Sequence, residues 1–129
     1  MLSEQLTAEP TAAKIAPQRV ICYLSVQADA QGHRKIEQVI GYPVSIPGFP
    51  GCSAVVHRHN GGGWTLTDQL TGLSLLPVYK TYPTRQAVIA AFVERMGAMG
   101  YNAQDWRDRV NYQLRENGGK TIAQLAAEK

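Results

Sequence analysis

His57 and His59 lie two residues apart, and on a strand such residues share a face. Two imidazoles so placed could grip one metal ion, with Asp68 as a distant third ligand. The chain has only three histidines, and His33 falls in a different turn. A half-exposed pair beside Trp64 at a strand end is therefore the expectation, and no metal or other cofactor is expected. Cys52 stands five residues before His57, but alternation along the intervening strand separates them, and no G-x-S-x-G elbow is present. Paired carboxylates are scarce, since only Asp68 falls inside the expected sheet, so the reading leans away from an enzyme. Gly61-Gly62-Gly63 lies between two expected strands with no lysine following, which is hairpin chemistry and not a phosphate cradle.

What remains is binding. Phe49, Tyr79, Tyr82 and Tyr112 are aromatics without a compulsory core position, a residue class enriched in interface centres. They favour a small non-catalytic protein-binding role, regulatory or inhibitory, in the style of phage and plasmid accessory proteins. The alternative is a nucleic-acid-binding regulator using the scattered cations Arg58, Lys80, Arg85, Arg107 and Arg115 as phosphate contacts. The helices expected around Gly118-Gly119 resemble the opening of a helix-turn-helix, which would need a further recognition helix after TIAQLAAEK. A small enzyme or metal-binding protein ranks third.

These residues need elements to position them. The order of periodicities, strands first and helices after, predicts an α+β fold. It consists of a mainly antiparallel sheet of five strands over 19–27, 36–46, 53–59, 64–69 and 73–78, then helices over 84–96, 103–116 and 121–127. With Gly61-Gly62 as a two-residue hairpin loop, His59 would face Trp64, His57 would face Leu66 and Val55 would face Asp68. Asp68 to Gly72 supplies the next turn, with Gly72 free to take positive φ. Pro77 removes a backbone donor near the end of the last strand.

Thr84 is a suitable N-cap for a helix whose stripe is Val88, Ile89, Phe92, Val93 and Met96, with Gly97 placed to end it. Asn102 with Asp105 makes a capping-box variant, Asp105 with Arg109 an i, i+4 ion pair, and Thr121 with Gln124 a second capping box. Ile46 to Gly51, IPGFPG, reads as an irregular loop in which Phe49 plugs the core edge. Val44 to Cys52, VSIPGFPGC, resembles the strand-to-loop segment of HicB-type antitoxins, which reads V-S-F-P-D-L-P-G-C. That resemblance implies a partial double-stranded-RNA-binding-type sheet with a helix soon after the cysteine. Here a further hairpin intervenes before Thr84, and Gly48 stands at the acidic position, so the family's function is not carried over.

The 129 residues fit one domain over 19–129, preceded by a flexible leader over 1–18 that holds Pro10 and Pro17. Apolar content is 44%, charged content 18%, and 13 basic against 10 acidic side chains leave a net charge of +3. No block of like charges marks a nucleic-acid footprint. No long apolar run suggests a signal peptide or membrane span, so a cytoplasmic location is the default, in which Cys22 and Cys52 would stay reduced.

Overall fold

The computed structural model describes residues 14–27, 29–59, 62–77 and 80–128. Five strands, β1 (Lys14–Ile15), β2 (Val20–Gln27), β3 (Arg34–Ile46), β4 (Phe49–Arg58) and β5 (Trp64–Asp68), form one curled antiparallel sheet. Three helices follow: α1 (Arg85–Met99), α2 (Ala103–Glu116) and α3 (Ile122–Ala127). The fold is the expected α+β arrangement of sheet first and helices after.

β3 is the spine. Along one edge it pairs β2 and then β1, from Gln27↔Arg34 to Lys14↔Ser45; along the other it pairs β4. The two runs of pairing meet at Gly41, which faces Val20 on one side and His57 on the other. A Cβ at Gly41 would come within 2.5 Å of Val55 Cγ1 and 2.7 Å of the Val56 carbonyl oxygen. Strands that coil this tightly need glycine at the crossing.

The curl closes through the segment after β5. Asp68 builds that turn as expected: its Oδ2 accepts from Thr71 N at 2.8 Å and Thr71 Oγ1 at 2.7 Å. Gly72, at φ +76°, then presents its carbonyl to Ser25 N of β2 at 2.9 Å. A side chain there would meet the Tyr23 carbonyl oxygen at 2.9 Å and Ile122 of α3 at 2.9 Å.

Alternation gives the sheet two buried faces. One carries Ala54, Val56 and Leu66 against Val88, Ile89, Phe92 and Met96 of α1 and Trp106 of α2. Phe92 is fully buried at the centre, edge-on to Phe49 at 5.2 Å and to Trp106 at 6.0 Å between ring centres. The other face, inside the curl, carries Val55, His57, Thr65 and Thr67, all buried, as is Cys22 of β2.

Several expectations are corrected. Over 73–77 the expected strand is replaced by a single bridge, Ser74↔Thr67, with Leu75 N donating to Leu66 O; residue 78 lies outside the described residues. Leu75 and Leu76 turn into the core instead, and Pro77 cannot extend the ladder. The fifth strand is Lys14–Ile15, inside the stretch read as leader; residues 1–13 lie outside the described residues. IPGFPG is not an irregular loop. Pro47 and Gly48 alone make the turn, with Gly48 at φ +82°, and Ile46 pairs Phe49 across it. α1 runs through Gly97 to Gly100, whose φ of +72° supplies the left-handed cap. Val93 is 36% exposed and leaves the buried stripe. Asp105 spends its carboxylate on Asn102 N, at 2.8 Å, in the capping box, and makes no ion pair with Arg109.

Phe92→Ala should cost about 3–5 kcal/mol, the range for deleting a fully buried aromatic, whereas Gln86→Ala on the exposed face of α1 should cost little; thermal melts compare them. Gly72→Ala should lower Tm sharply. Gly97→Ala, where an added Cβ meets nothing within 4 Å, should raise stability by up to about 1 kcal/mol. Equal melts for the two alanine variants would contradict closure at Gly72.

Candidate functional site

The hairpin between β4 and β5 sets the site. Its loop runs from His59 to Gly63, with His59 N donating to Gly63 O at 2.8 Å and Gly62 N to His59 O at 3.0 Å. Asn60 and Gly61 lie outside the described residues. The loop is longer than the two-residue turn expected, so the register shifts by one: Arg58 faces Trp64, His57 faces Thr65 and Val56 faces Leu66. A one-residue shift exchanges the faces. Arg58, not His57 or His59, therefore shares a face with Trp64.

Tyr82 is tied beside Trp64 by backbone bonds in both directions, 2.8 and 3.0 Å. Arg85 opens α1 one residue after the N-cap Thr84, whose side chain accepts from Ala87 N at 3.0 Å. These ties bring three of the five expected cations onto aromatic faces. The Arg58 guanidinium stands 4.3 Å from the centre of the Trp64 ring. That of Arg85 is 4.9 Å from the Tyr42 ring and 5.6 Å from Trp64. Lys80 Nζ is 5.4 Å from the Tyr82 ring, and Tyr42 and Trp64 tilt together at 6.5 Å. Each such cation–π contact contributes about 0.5–1 kcal/mol at exposed positions.

Among the described residues no carboxylate pairs with these three cations. The ion pairs among the described residues are Asp29–His33, Lys35–Glu37 and Lys120–Glu128, none of which involves Arg58, Lys80 or Arg85. The first turn of α1 carries no acidic side chain, so the positive end of its dipole adds to the same potential.

The other expected residues are dispersed. Arg107 on α2 donates to Pro50 O and to Gln104 Oε1, each at 3.1 Å, and Arg115 lies exposed in the last turn of α2. Phe49 is the core plug, 7% exposed, which removes it from any outer surface. Tyr112 is 57% exposed on α2, away from Tyr82, and Tyr79 lies outside the described residues. Tyr42 and Trp64, the rings that gather the cations, were not among the expected site residues. The alternation that placed Trp64 on a strand was readable, but its partner Arg58 depended on the loop length.

His57 is not half-exposed; it sits inside the curl, 1% exposed. Its Nδ1 is 2.8 Å from the Arg58 carbonyl, which only accepts, so Nδ1 carries the proton. Nε2 then accepts from Thr67 Oγ1 at 2.8 Å. Both ring nitrogens are spent, which leaves none for a metal, and no group of three metal-ligating side chains occurs among the described residues. A hydroxyl donating to a neutral imidazole is the geometry of an activated nucleophile. Here Thr67 is 2% exposed, and a carbonyl stands where an orienting carboxylate would.

Cys22 and Cys52 are free thiols, pushed up to about 11 and about 12, first by burial and second by the charge of Asp68; both are unreactive at neutral pH. No helix among the described residues is long and apolar enough to cross a membrane. No protein-family model, curated protein or solved structure matches the chain.

Burial holds the His57 pKa below its usual 6.5, opposed by the bond to the Arg58 carbonyl and reinforced by His59. A depressed histidine binds its proton more readily when unfolded, so its contribution is intact above pH 6.5 and declines as pH falls below that value toward the folded pKa. Asp68 acts with the opposite sign: burial raises its pKa above 3.8, and protonation on acidification relieves the buried charge. Tm should fall between pH 7 and pH 5, and the fall should shrink in His57→Gln, which cannot titrate. An identical pH profile in that variant would mean that the ring is not held neutral by burial.

Proposed function

We propose that the chain binds single-stranded nucleic acid through Arg58, Trp64, Tyr42, Arg85, Tyr82 and Lys80. The observation that carries this reading is the convergence on a cluster of rings of three cations that have no carboxylate partner among the described residues. Phosphates are attracted by uncompensated guanidinium and ammonium groups, and unstacked bases lie against aromatic rings and guanidinium planes alike. Arg58, held over Trp64 and bonded to the Gly62 carbonyl, offers a pre-set platform with little side-chain entropy left to lose. The patch is small and the net charge only +3, so modest affinity without strong sequence preference is expected.

A protein-partner reading rests on four aromatics, of which Phe49 is buried, Tyr112 lies on α2, Tyr82 belongs to the basic patch and Tyr79 lies outside the described residues. It becomes the leading reading if nucleic acid is not bound.

Labelled single-stranded oligonucleotides, titrated by fluorescence anisotropy, test the proposal. Three phosphate contacts on a single strand imply binding about twentyfold weaker at 200 mM than at 50 mM salt. Arg58→Ala and Arg85→Ala should each weaken binding and flatten the salt dependence, whereas Arg115→Ala should change it little. Absence of binding at the lower salt, or the same loss from Arg115→Ala as from Arg58→Ala, overturns the proposal.

A further inference from the structure

Inside the curl, at the seam where β2 meets Gly72, a cavity of ≈ 240 Å³ opens between Leu24 and Val26 on one side and Arg34, His59 and Thr65 on the other. His57 and Thr67 also border it, but they are spent on each other. The remaining polar groups are donors with protons to spare. Arg34 donates from Nη2 to Ser25 O at 2.6 Å and from Nε to Ser25 Oγ at 3.3 Å, which holds the guanidinium at the seam and leaves its other N–H groups without a described partner. The Ser25 hydroxyl accepts that second bond, so its own proton is left to donate. Thr65 is 5% exposed, and its hydroxyl bonds to no described residue. That hydroxyl is not one of the sealed-off atoms, Asp68 Oδ1 and Trp106 Nε1, so it opens on the cavity. His59 is half-buried at the rim. No aspartate or glutamate among the described residues lines the space.

We infer that this cavity binds a small organic carboxylate, its anionic end taken by the Arg34 guanidinium and the hydroxyl protons of Ser25 and Thr65, its apolar body lying against Leu24 and Val26. The surplus of donors selects the charge. A cation would meet Arg34 with no acid in the wall to offset it, whereas a carboxylate matches the planar guanidinium fork. Leu24 and Val26, both half-buried, select the rest of the ligand, because an inorganic anion has no apolar surface to lay on them. Volume bounds the size: pockets for drug-sized ligands begin near roughly 300 Å³, so one ring or a short chain suits this space. The site is independent of the basic patch. Alternation along β4 and β5 puts the His57–Thr65 pair on the opposite face from Arg58 and Trp64, so the cavity stands whether or not the patch binds nucleic acid.

Sodium benzoate is the probe, with benzamide as its uncharged counterpart and inorganic phosphate as an anion without an apolar body, each added to the full chain at constant ionic strength. Two-dimensional NMR follows the methyl signals of Leu24, Val26 and Thr65, and the indole N–H of Trp64 as a reporter on the basic patch. Benzoate should move the three methyl signals saturably while the Trp64 signal stays in place. Benzamide, which lacks the charge, and phosphate, which lacks the ring, should each bind about tenfold more weakly or worse, and neither comparison needs a protein variant. Arg34→Gln, at an exposed position, should weaken benzoate about tenfold or more with Tm little changed. The inference fails if benzoate does not move the methyl signals at about 10 mM, tenfold above a millimolar Kd. It fails equally if benzamide or phosphate matches benzoate, if the Trp64 signal moves in place of the methyl signals, or if Arg34→Gln binds benzoate as tightly as the unaltered chain.

Discussion

Closure of the curl rests on two places where backbone approaches backbone without room for a Cβ, Gly41 and Gly72. At Gly41 the spine strand changes its pairing from β2 to β4, and at Gly72 the segment after β5 reaches back to β2. A flat sheet would leave one face to water. The curl instead buries both faces of β4 and β5, so His57, Thr65 and Thr67 lie inside while Val56 and Leu66 meet the helices. Polar groups carried inside must find partners there, which explains why His57 has both nitrogens engaged. The same closure docks α3, since Ile122 N donates to Leu70 O beside Gly72.

Curling also decides what stays outside. With both sheet faces occupied, little is left for the ring of Trp64 except the end of the sheet, where β5 begins and α1 starts. A half-buried indole there packs on one side and faces the guanidinium groups on the other. An acidic residue in the first turn of α1 would have stabilised that helix. The sequence places Arg85 there instead, which costs a little helix stability and concentrates positive charge over the rings. A local choice that opposes helix electrostatics yet builds a patch is the kind of inconsistency expected at a binding site.

Legibility in the sequence tracked the range of the interaction. Helix ends are set by side chains within four residues of the backbone they cap, and Thr84, Asn102 and Thr121 cap as their spacing implied. The Asp68 turn is equally local. The register of β4 on β5 depends on how the glycine run folds, and Gly63 is not free to choose. A Cβ there would stand 2.4 Å from Thr81, so the loop is packed against the stretch leading to Tyr82. That non-local contact favours the longer loop and shifts the register, which moved His57 inward and set Arg58 against Trp64. The basic patch was thus invisible as a patch, although three of its cations were identified individually. Phe49 was legible only as one of two things, a plug at the core edge or a partner-facing ring, because the sequence read its surroundings as an irregular loop; the tight turn at Pro47-Gly48 that carries it into the core depends on the pairing of β3 with β4.

Asp68 shows how a tight turn can hold a carboxylate out of water. Its Oδ2 builds the turn that sends Gly72 back to β2, so the carboxylate cannot be dispensed with locally. Asparagine could accept the same two bonds without a buried charge, and serine or threonine could cap such a turn more weakly. Keeping the acid therefore carries a desolvation cost that the turn alone does not require, seen in the upward push that burial gives its pKa against the Thr71 and Leu70 bonds. The second oxygen, Oδ1, is buried with no hydrogen-bond partner among the described residues. Its companion, the Trp106 indole, faces the same problem, for phenylalanine would fill the core beside Phe92 without stranding an N–H. Two positions on the helix-facing side of the sheet thus each keep a polar atom that the fold leaves unpaired among the described residues.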